Sequence, residues 1–198
     1  MDHQVQRRIW RRDLLARRES LPVDFHAEAS RRILDHLWKA WPVPPEEVVS
    51  CYFPIRNEVD VWPLVDRWQC VRSVRVVMPA VMARDQPLVF REWRKGEPLS
   101  LDRYGIPYPV AGEPRVPGFL LLPVNGFDAQ GYRLGYGGGY FDRTLANRVP
   151  RPLTVGVGFE FQRLPTTLPG EQDIPLDIVV TEAGLFRSPA RVDIIDRS

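Results

Sequence analysis

The sequence predicts a single α/β domain of three layers, in which a mostly parallel sheet is flanked by helices on both faces. Short, nearly continuous apolar runs alternate along the chain with longer segments of helical periodicity. Such runs are typical of parallel strands, because helices cover both faces of the sheet. With 198 residues the chain is long enough for one substantial core. We therefore expect one domain over residues 1–187, followed by a weakly ordered tail over residues 188–198.

The helical segments show apolar residues that recur every three to four positions. The first segment carries Trp10, Leu14 and Leu21 on one stripe, and Ser20 with Pro22 marks the start of the second. The predicted helices span residues 4–21, 22–40, 60–70 and 139–147.

The strand segments are shorter and mostly apolar throughout. Leu88–Trp93 alternates between apolar and polar residues, which favours an edge or antiparallel strand. Residues 95–117 contain five prolines, and we predict an ordered loop that crosses the sheet there. The predicted strands span residues 48–53, 73–79, 88–93, 119–123, 154–159 and 178–181.

Several polar side chains directly follow predicted strands. They are Asn57, Glu58, Glu160, Glu182 and the polar residues of the segment 125–142. Because ligands of α/β sheets bind beyond the carboxyl ends of the strands, we expect these residues to gather at one edge of the sheet.

Composition argues against several classes of function. The net charge of +2 is too small to indicate a nucleic-acid-binding protein. Cys51 and Cys70 form neither a metal-ligand spacing nor a disulfide framework. The arginine-rich start lacks the apolar segment of a secretory signal, and no apolar run is long enough to span a membrane. We expect a cytoplasmic protein, without nucleic-acid or membrane partners, that is a monomer.

The most informative segment is Tyr132-Arg-Leu-Gly-Tyr-Gly-Gly-Gly-Tyr-Phe-Asp142. Glycines at this density allow a close approach of backbone N–H groups to an anion such as phosphate. Arg133 offers a forked phosphate contact, and Asp142 offers an oxygen ligand for the Mg²⁺ that accompanies ATP. The segment matches neither the P-loop nor the dinucleotide-binding fingerprint. A flexible surface turn is the alternative.

Three blocks of the sequence together resemble the 5-formyltetrahydrofolate cyclo-ligase family, also called 5,10-methenyltetrahydrofolate synthetases. The blocks are Phe53–Asp60, Leu122–Arg143 and Asp173–Glu182. The resemblance implies an enzyme of one-carbon folate metabolism that uses ATP and Mg²⁺ to close 5-formyltetrahydrofolate to 5,10-methenyltetrahydrofolate, releasing ADP and phosphate. It also implies a three-layer α/β domain.

The resemblance implies a role for individual residues of this chain. Arg133 and Tyr140 are the candidate catalytic residues, and Asp142 and Asp177 are the candidate Mg²⁺ ligands. We also expect Arg133 to contribute little to the core. The candidate nucleotide-binding residues are Arg7, Arg11, Arg133, Leu134, Gly135, Tyr136, Gly137, Gly138, Gly139, Tyr140 and Phe141. The candidate folate-binding residues are Phe53, Glu58, Tyr136, Gly137, Gly138, Gly139 and Tyr140.

Structural alternatives remain open for several of these residues. Arg7 and Arg11, one helical turn apart, could reach one phosphate chain or form a solvated basic face. Glu58 could form a salt bridge at a strand end, and Phe53 could belong to the core. Asp177 could be a turn or capping residue.

Two positions depart from the family pattern. Tyr108 stands where the family usually has glutamate, and Gln172 stands where it usually has histidine. The first departure leaves open an enzyme with the same fold and ATP chemistry that acts on another N-formyl or amide substrate. An RNA-binding module built on the first helix is a third hypothesis, disfavoured because Trp10 is the only aromatic residue beside its arginines.

Overall fold

A computed structural model describes residues 2–189 and contains a central sheet of seven strands. The strands of this sheet are β1 (Val48–Ser50), β2 (Arg75–Ala80), β3 (Val89–Glu92), β6 (Phe119–Pro123), β9 (Leu153–Val157), β10 (Ile178–Thr181) and β11 (Gly184–Arg187). Two small hairpins are formed by β4 (Leu99–Leu101) with β5 (Pro107–Pro109) and by β7 (Gly126–Phe127) with β8 (Arg133–Leu134). The helices are α1 (His3–Glu19), α2 (Val23–Ala40), α3 (Trp62–Gln69) and α4 (Tyr140–Ala146).

The central sheet is mostly parallel, as the sequence predicts. Its strand order is β11-β10-β9-β6-β1-β2-β3, and the five inner strands pair in parallel. Both edge strands, β3 and β11, are antiparallel to their neighbours. The predicted antiparallel edge strand at residues 88–93 is therefore confirmed.

Alternate residues of the strands face two separate cores, so the sheet is the middle layer. On one face, Val49, Met78 and Leu121 pack in a core that includes Ile33 and Leu37 of α2. The core on the other face is built by the residues between these, and it includes Val77, Leu120 and Leu122 of the sheet, Leu145 of α4 and Phe127 of β7. The period of two along each strand accounts for this division.

The loop predicted over residues 95–117 differs from the structure. It contains the hairpin β4–β5, in which Leu99, Ser100 and Leu101 pair with Pro109, Tyr108 and Pro107. The prolines indicated a loop, because proline cannot donate a hydrogen bond to a neighbouring strand. Proline is nevertheless tolerated in strands at positions where that N–H is not needed for pairing. The strands β7, β8 and β11 are also additions to the predicted set.

The inner face of α1 also differs from the prediction. Its buried residues are Arg7 and Arg18, whereas Trp10 and Leu14 of the predicted apolar stripe are only partly buried. Helix α1 therefore presents arginines to the interior.

The chain after β11 is described only as far as residue 189. Ser188 is buried, and its hydroxyl donates a hydrogen bond to the carbonyl of Gln130 at 2.6 Å. Residue 188 is therefore held against the domain, whereas the prediction placed it in a weakly ordered tail. The rest of the predicted tail, residues 190–198, lies outside the described residues.

Within residues 2–189, none of the helices combines the length and the apolar character that a membrane crossing requires.

Candidate active site

The glycine-rich loop connects β8 to α4 at the carboxyl edge of the sheet. Gly137 and Gly139 have φ values of +97° and +64°, which favour glycine strongly. A Cβ atom added at Gly135 would meet no atom within 4 Å. The loop therefore leaves open space beside its backbone, as a ligand cradle requires.

Arg11 of α1 lies directly beside this loop. Its guanidinium carbon is 3.9 Å from the position that a Cβ atom at Gly137 would occupy. The side chain is half-buried, and burial, followed by the nearby charge of Arg7, lowers its pKa. Its Nε has no hydrogen-bond partner in the part of the chain that the structure describes. Arg11 is thus a partly desolvated cation directed at a glycine cradle.

Arg7 has different partners from Arg11, although the two lie on the same face of α1. Its guanidinium forms an ion pair with both carboxylate oxygens of Asp173 and donates to the carbonyl of Leu168 at 3.1 Å. Arg7 therefore fastens α1 to the segment before β10, and its predicted phosphate contact stays a prediction.

Arg133 and Asp142, two predicted site residues, are in direct contact. Arg133 Nη2 donates to Asp142 Oδ1 at 3.0 Å, and Nη1 donates to the carbonyl of Ile174 at 2.8 Å. Asp142 Oδ1 also accepts from the backbone N–H of Ile174 at 3.1 Å. Burial lowers the pKa of Arg133, and the charge of Asp142 opposes this shift.

The expectation that Arg133 contributes little to the core is wrong, because the residue is only 7% exposed. Both hydrogen bonds to Asp142 reach Oδ1, and 21% of its side chain is exposed. Asp142 can therefore offer an oxygen to a cation at the protein surface.

Glu58 is buried in the loop after β1 and contacts the glycine-rich loop. Its Oε1 accepts a hydrogen bond from the hydroxyl of Tyr136 at 2.7 Å, and its Oε2 accepts from the backbone N–H of Ile55 at 3.1 Å. Burial raises the pKa of Glu58, whereas the charge of Arg18 and the Tyr136 hydrogen bond act to lower it. The predicted gathering of Glu58 with the segment 125–142 is confirmed.

Arg18 belongs to this cluster and was missed by the sequence analysis. Its Nη2 lies 2.8 Å from the Tyr136 hydroxyl and 3.6 Å from Glu58 Oε1, and the whole residue is buried. The signal that could have revealed it is the spacing of Arg7, Arg11 and Arg18, because offsets of four and eleven residues fall on one helix face.

Tyr140 begins α4 and reaches across to the turn between β4 and β5. Its hydroxyl is 2.8 Å from the hydroxyl of Tyr104, and the two rings meet edge to face. The hydrogen bond with Tyr104 raises the pKa of Tyr140. Tyr104, which was not among the predicted residues, therefore extends the site toward this hairpin.

Three predicted contacts involve side chains that pack inside the protein. Phe53 packs against Trp62 and Trp93 at ring-centroid distances of 5.3 Å each. The side chain of Leu134 is fully buried, so only its backbone can approach a ligand. Phe141 packs against the core that contains Phe127 and Leu145. Phe53 thus packs in the core, as one of its two interpretations predicts. The predicted contact of Phe53 with the folate stays untested.

Asp177, the second candidate metal ligand, lies at the opposite end of β10 from the glutamates that follow the strands. Its Oδ2 accepts hydrogen bonds from the backbone N–H and the hydroxyl of Thr154, each at 2.7 Å. Arg151 approaches its Oδ1 at 3.8 Å. These contacts join the starts of β9 and β10, which is a structural role other than the expected turn or cap, and the role of Asp177 as a metal ligand stays a prediction. Among residues 2–189 no cluster of three or more His, Cys, Asp or Glu side chains could hold a metal.

Fold and site thus define an α/β protein whose glycine-rich loop, basic helix and buried carboxylate share one edge of the sheet. The sequence matches the 5-formyltetrahydrofolate cyclo-ligase family over residues 3–182. The chain therefore belongs to this family, as the resemblance indicated.

Known proteins agree with this assignment. The 5-formyltetrahydrofolate cyclo-ligase of Escherichia coli strain K12 is 28% identical over 178 residues, which cover 86% of this chain and 97% of the relative. The cyclo-ligase of Mycoplasma pneumoniae is 27% identical over 143 residues, which cover 71% and 76%. The NMR structure of Aquifex aeolicus 5,10-methenyltetrahydrofolate synthetase superposes with a TM-score of 0.78 at 29% identity, covering 91% of this chain and 92% of that one.

Proposed function

We propose that this protein uses ATP and Mg²⁺ to cyclise 5-formyltetrahydrofolate to 5,10-methenyltetrahydrofolate, with release of ADP and phosphate. The observation that carries the proposal is the direct hydrogen bond between Tyr136 of the glycine-rich loop and the buried Glu58. This hydrogen bond connects the glycine-rich loop, which is suited to bind phosphate, with the Glu58 carboxylate, which can accept hydrogen bonds from the N–H groups of a pterin.

The residues present fit a nucleotide. The open space beside Gly135, the positive φ at Gly137 and the unpartnered Nε of Arg11 among the described residues give an accessible, cationic surface beside the loop. Arg11 and the backbone of residues 134–141 would hold the phosphates. The nucleotide supplies the phosphoryl group that makes the formyl oxygen a good leaving group.

A single carboxylate also fits Mg²⁺, because this ion is commonly held by one or two carboxylates together with substrate phosphates. Asp142 would be that ligand, since part of its side chain is exposed beside the loop. Its contact with Arg133 places a buried positive charge next to the site, where charge shifts during phosphoryl transfer.

Glu58 is the residue that would orient the folate. Its buried carboxylate accepts hydrogen bonds from groups around it, and a pterin offers N–H donors of the same kind. Orientation of this ring presents N10 to the activated formyl carbon, a step in which positioning supplies much of the rate.

The experiment is incubation with 5-formyltetrahydrofolate, ATP and Mg²⁺, with the near-ultraviolet absorbance of the methenyl product as readout. We expect product only when all three are present. Glu58→Gln should raise KM for the folate more than KM for ATP, and Glu28→Gln, at an exposed position of α2 paired with Arg31, is the matched control. Absence of ATP-dependent product from the wild-type protein would overturn the proposal.

A second candidate function keeps the ATP chemistry and changes the substrate. Tyr108, which replaces the usual glutamate, lines a cavity of about 410 Å³ together with Met82, Leu101, Asp102 and Arg103. A cavity without that carboxylate could accept another N-formyl or amide compound. In competition assays, faster turnover of a formylated non-folate would favour this function, and Tyr108→Glu should then restore the preference for folate.

Monomeric state, cytoplasmic location and absence of nucleic-acid partners stay predictions. Gel filtration with light scattering tests the first, cell fractionation tests the second, and salt-dependent RNA binding tests the third.

A further inference from the structure

Arg18 connects three segments of the candidate active site from a fully buried position. Its Nε donates to the carbonyl of Arg56 at 3.0 Å, in the same loop as Glu58. Its Nη1 donates to Asn125 Oδ1 at 2.6 Å, after β6, and its Nη2 donates to the Tyr136 hydroxyl at 2.8 Å. One rigid guanidinium group thus sets the relative positions of the Glu58 loop, the segment after β6 and the glycine-rich loop.

The hydroxyl of Tyr136 forms the middle of a directed chain of hydrogen bonds. It accepts from Arg18 and donates its proton to Glu58 Oε1 at 2.7 Å. Arginine can only donate, so the direction of the chain is determined. The Tyr136 ring is half-exposed while its hydroxyl is held at this inner position.

We infer that Arg18 is a positioning residue, which holds the Glu58 carboxylate and the Tyr136 hydroxyl in the arrangement that receives the folate. The inference rests on the proposed function and extends it to a residue that touches neither substrate. Arg18 acts through Glu58 and Tyr136.

Electrostatics supports this role, because a buried carboxylate without a counter-charge favours its neutral form. Burial raises the pKa of Glu58, and Arg18 is the strongest influence in the opposite direction. The other groups that face it are Tyr136, whose hydrogen bond also lowers the pKa, Tyr52, the half-exposed Arg56 and the backbone N–H of Ile55. His26 meets Glu58 at its backbone carbonyl, at 2.9 Å, rather than at its carboxylate.

Arg56 cannot take over the role of Arg18. Its side chain is about half-exposed and forms an ion pair with Glu19 at 2.6 Å, so its charge is largely screened by water. Arg18 is buried next to Glu58, where the lower dielectric strengthens their interaction.

The test compares Arg18→Met, which removes the charge, with Arg18→Lys, which keeps it. For Arg18→Met we expect KM for the folate to rise at least about tenfold, with KM for ATP changed less than about twofold. The acidic limb of kcat/KM for the folate should move to higher pH by about one unit, and Arg18→Lys should return it toward the wild-type position. Arg17→Met is the matched control, because Arg17 is exposed and stacks on Phe161.

A second measurement requires no turnover. The carboxyl ¹³C shift of Glu58 should titrate at a higher pH in Arg18→Met than in the wild-type protein, and Tyr136→Phe should move it in the same direction by less. An unmoved titration in Arg18→Met would overturn the inference. If Arg18→Met does not fold, Arg18→Gln, which also removes the charge, decides it by the same titration. Failure of the wild-type protein to form the methenyl product would count against the proposed function instead.

Discussion

Adjacent arginines of α1 have opposite surroundings in this protein. Arg18 is buried in a network of hydrogen bonds, while Arg17 is exposed and lies over the ring of Phe161 at 4.4 Å. Arg7 is buried, and Arg8 is exposed. Each residue turns 100° from its neighbour on a helix, so composition alone cannot distinguish the arginines that bind from those that are solvated.

Single substitutions can distinguish the roles of the two candidate magnesium ligands, Asp142 and Asp177. Asp142→Asn keeps an oxygen for Arg133 and Ile174 but removes the charge that Mg²⁺ prefers. We expect the Mg²⁺ concentration for half-maximal activity to rise several-fold. The free energy of unfolding should fall by about 1–2 kcal/mol, because a charge-assisted hydrogen bond becomes neutral.

Asp177→Asn is the matched comparison for this prediction. Its carboxylate holds Thr154 at the start of β9, so we expect a lower melting temperature and an unchanged Mg²⁺ requirement. A raised Mg²⁺ requirement in Asp177→Asn would restore Asp177 as a ligand. An unchanged requirement in Asp142→Asn would remove Asp142 from the metal site.

At the scale of elements, the glycine-rich loop combines two different requirements for glycine. Gly137 and Gly139 have backbone conformations that other residues adopt only with strain. Gly135 has neither a positive φ nor an atom within 4 Å of an added Cβ. The folded protein alone therefore gives no reason for glycine at position 135.

A ligand would give that reason, and Gly135→Ala tests it. We expect an unchanged melting temperature together with a KM for ATP raised about tenfold, because the added methyl group would occupy the space of the phosphates. Gly170→Ala is the control, since an added Cβ there would meet only Asp173, at 3.8 Å. Unchanged ATP affinity in Gly135→Ala would indicate that the nucleotide lies elsewhere.

At the scale of the whole molecule, the Arg7–Asp173 ion pair attaches the first helix to a segment near the end of the domain. Burial acts to raise the pKa of Asp173, but hydrogen bonds from Arg7 and from the backbone N–H of Gly170 more than offset it. The net pKa lies below its ordinary value of 3.8. A carboxyl group with a lowered pKa stabilises the fold above its ordinary pKa and loses this contribution as the pH falls through the lowered one.

We therefore expect the melting temperature to decrease as the pH drops below about 4, in part because Asp173 becomes protonated. Asp173→Asn should lower the melting temperature at pH 7 and reduce the loss of stability as the pH falls below about 4, as measured by circular dichroism. The exposed ion pair of Arg12 with Asp13 provides the control Asp13→Asn, which should change little. An Asp173→Asn curve parallel to that of the wild-type protein would contradict this assignment.

Most of the central sheet could be predicted because its signals are local. The strands Phe119–Pro123 and Ile178–Thr181 match their predicted bounds, since continuous apolar runs report burial on both faces. The hairpin of β4 and β5 could not be predicted in the same way. Its proline-rich residues form a strand only through pairing and through contact with β2.

The sequence by itself determined the α/β class, the order of most strands along the chain, the glycine-rich loop and the family. These properties depend on periodicity and on residues close together in the chain. Only the tertiary structure decided that Arg7 pairs with Asp173, 166 residues away, and that Tyr136 meets Glu58, 78 residues away. Such partners depend on which side chains the packed helix and sheet bury together, and a buried charge is stable only beside an opposite one.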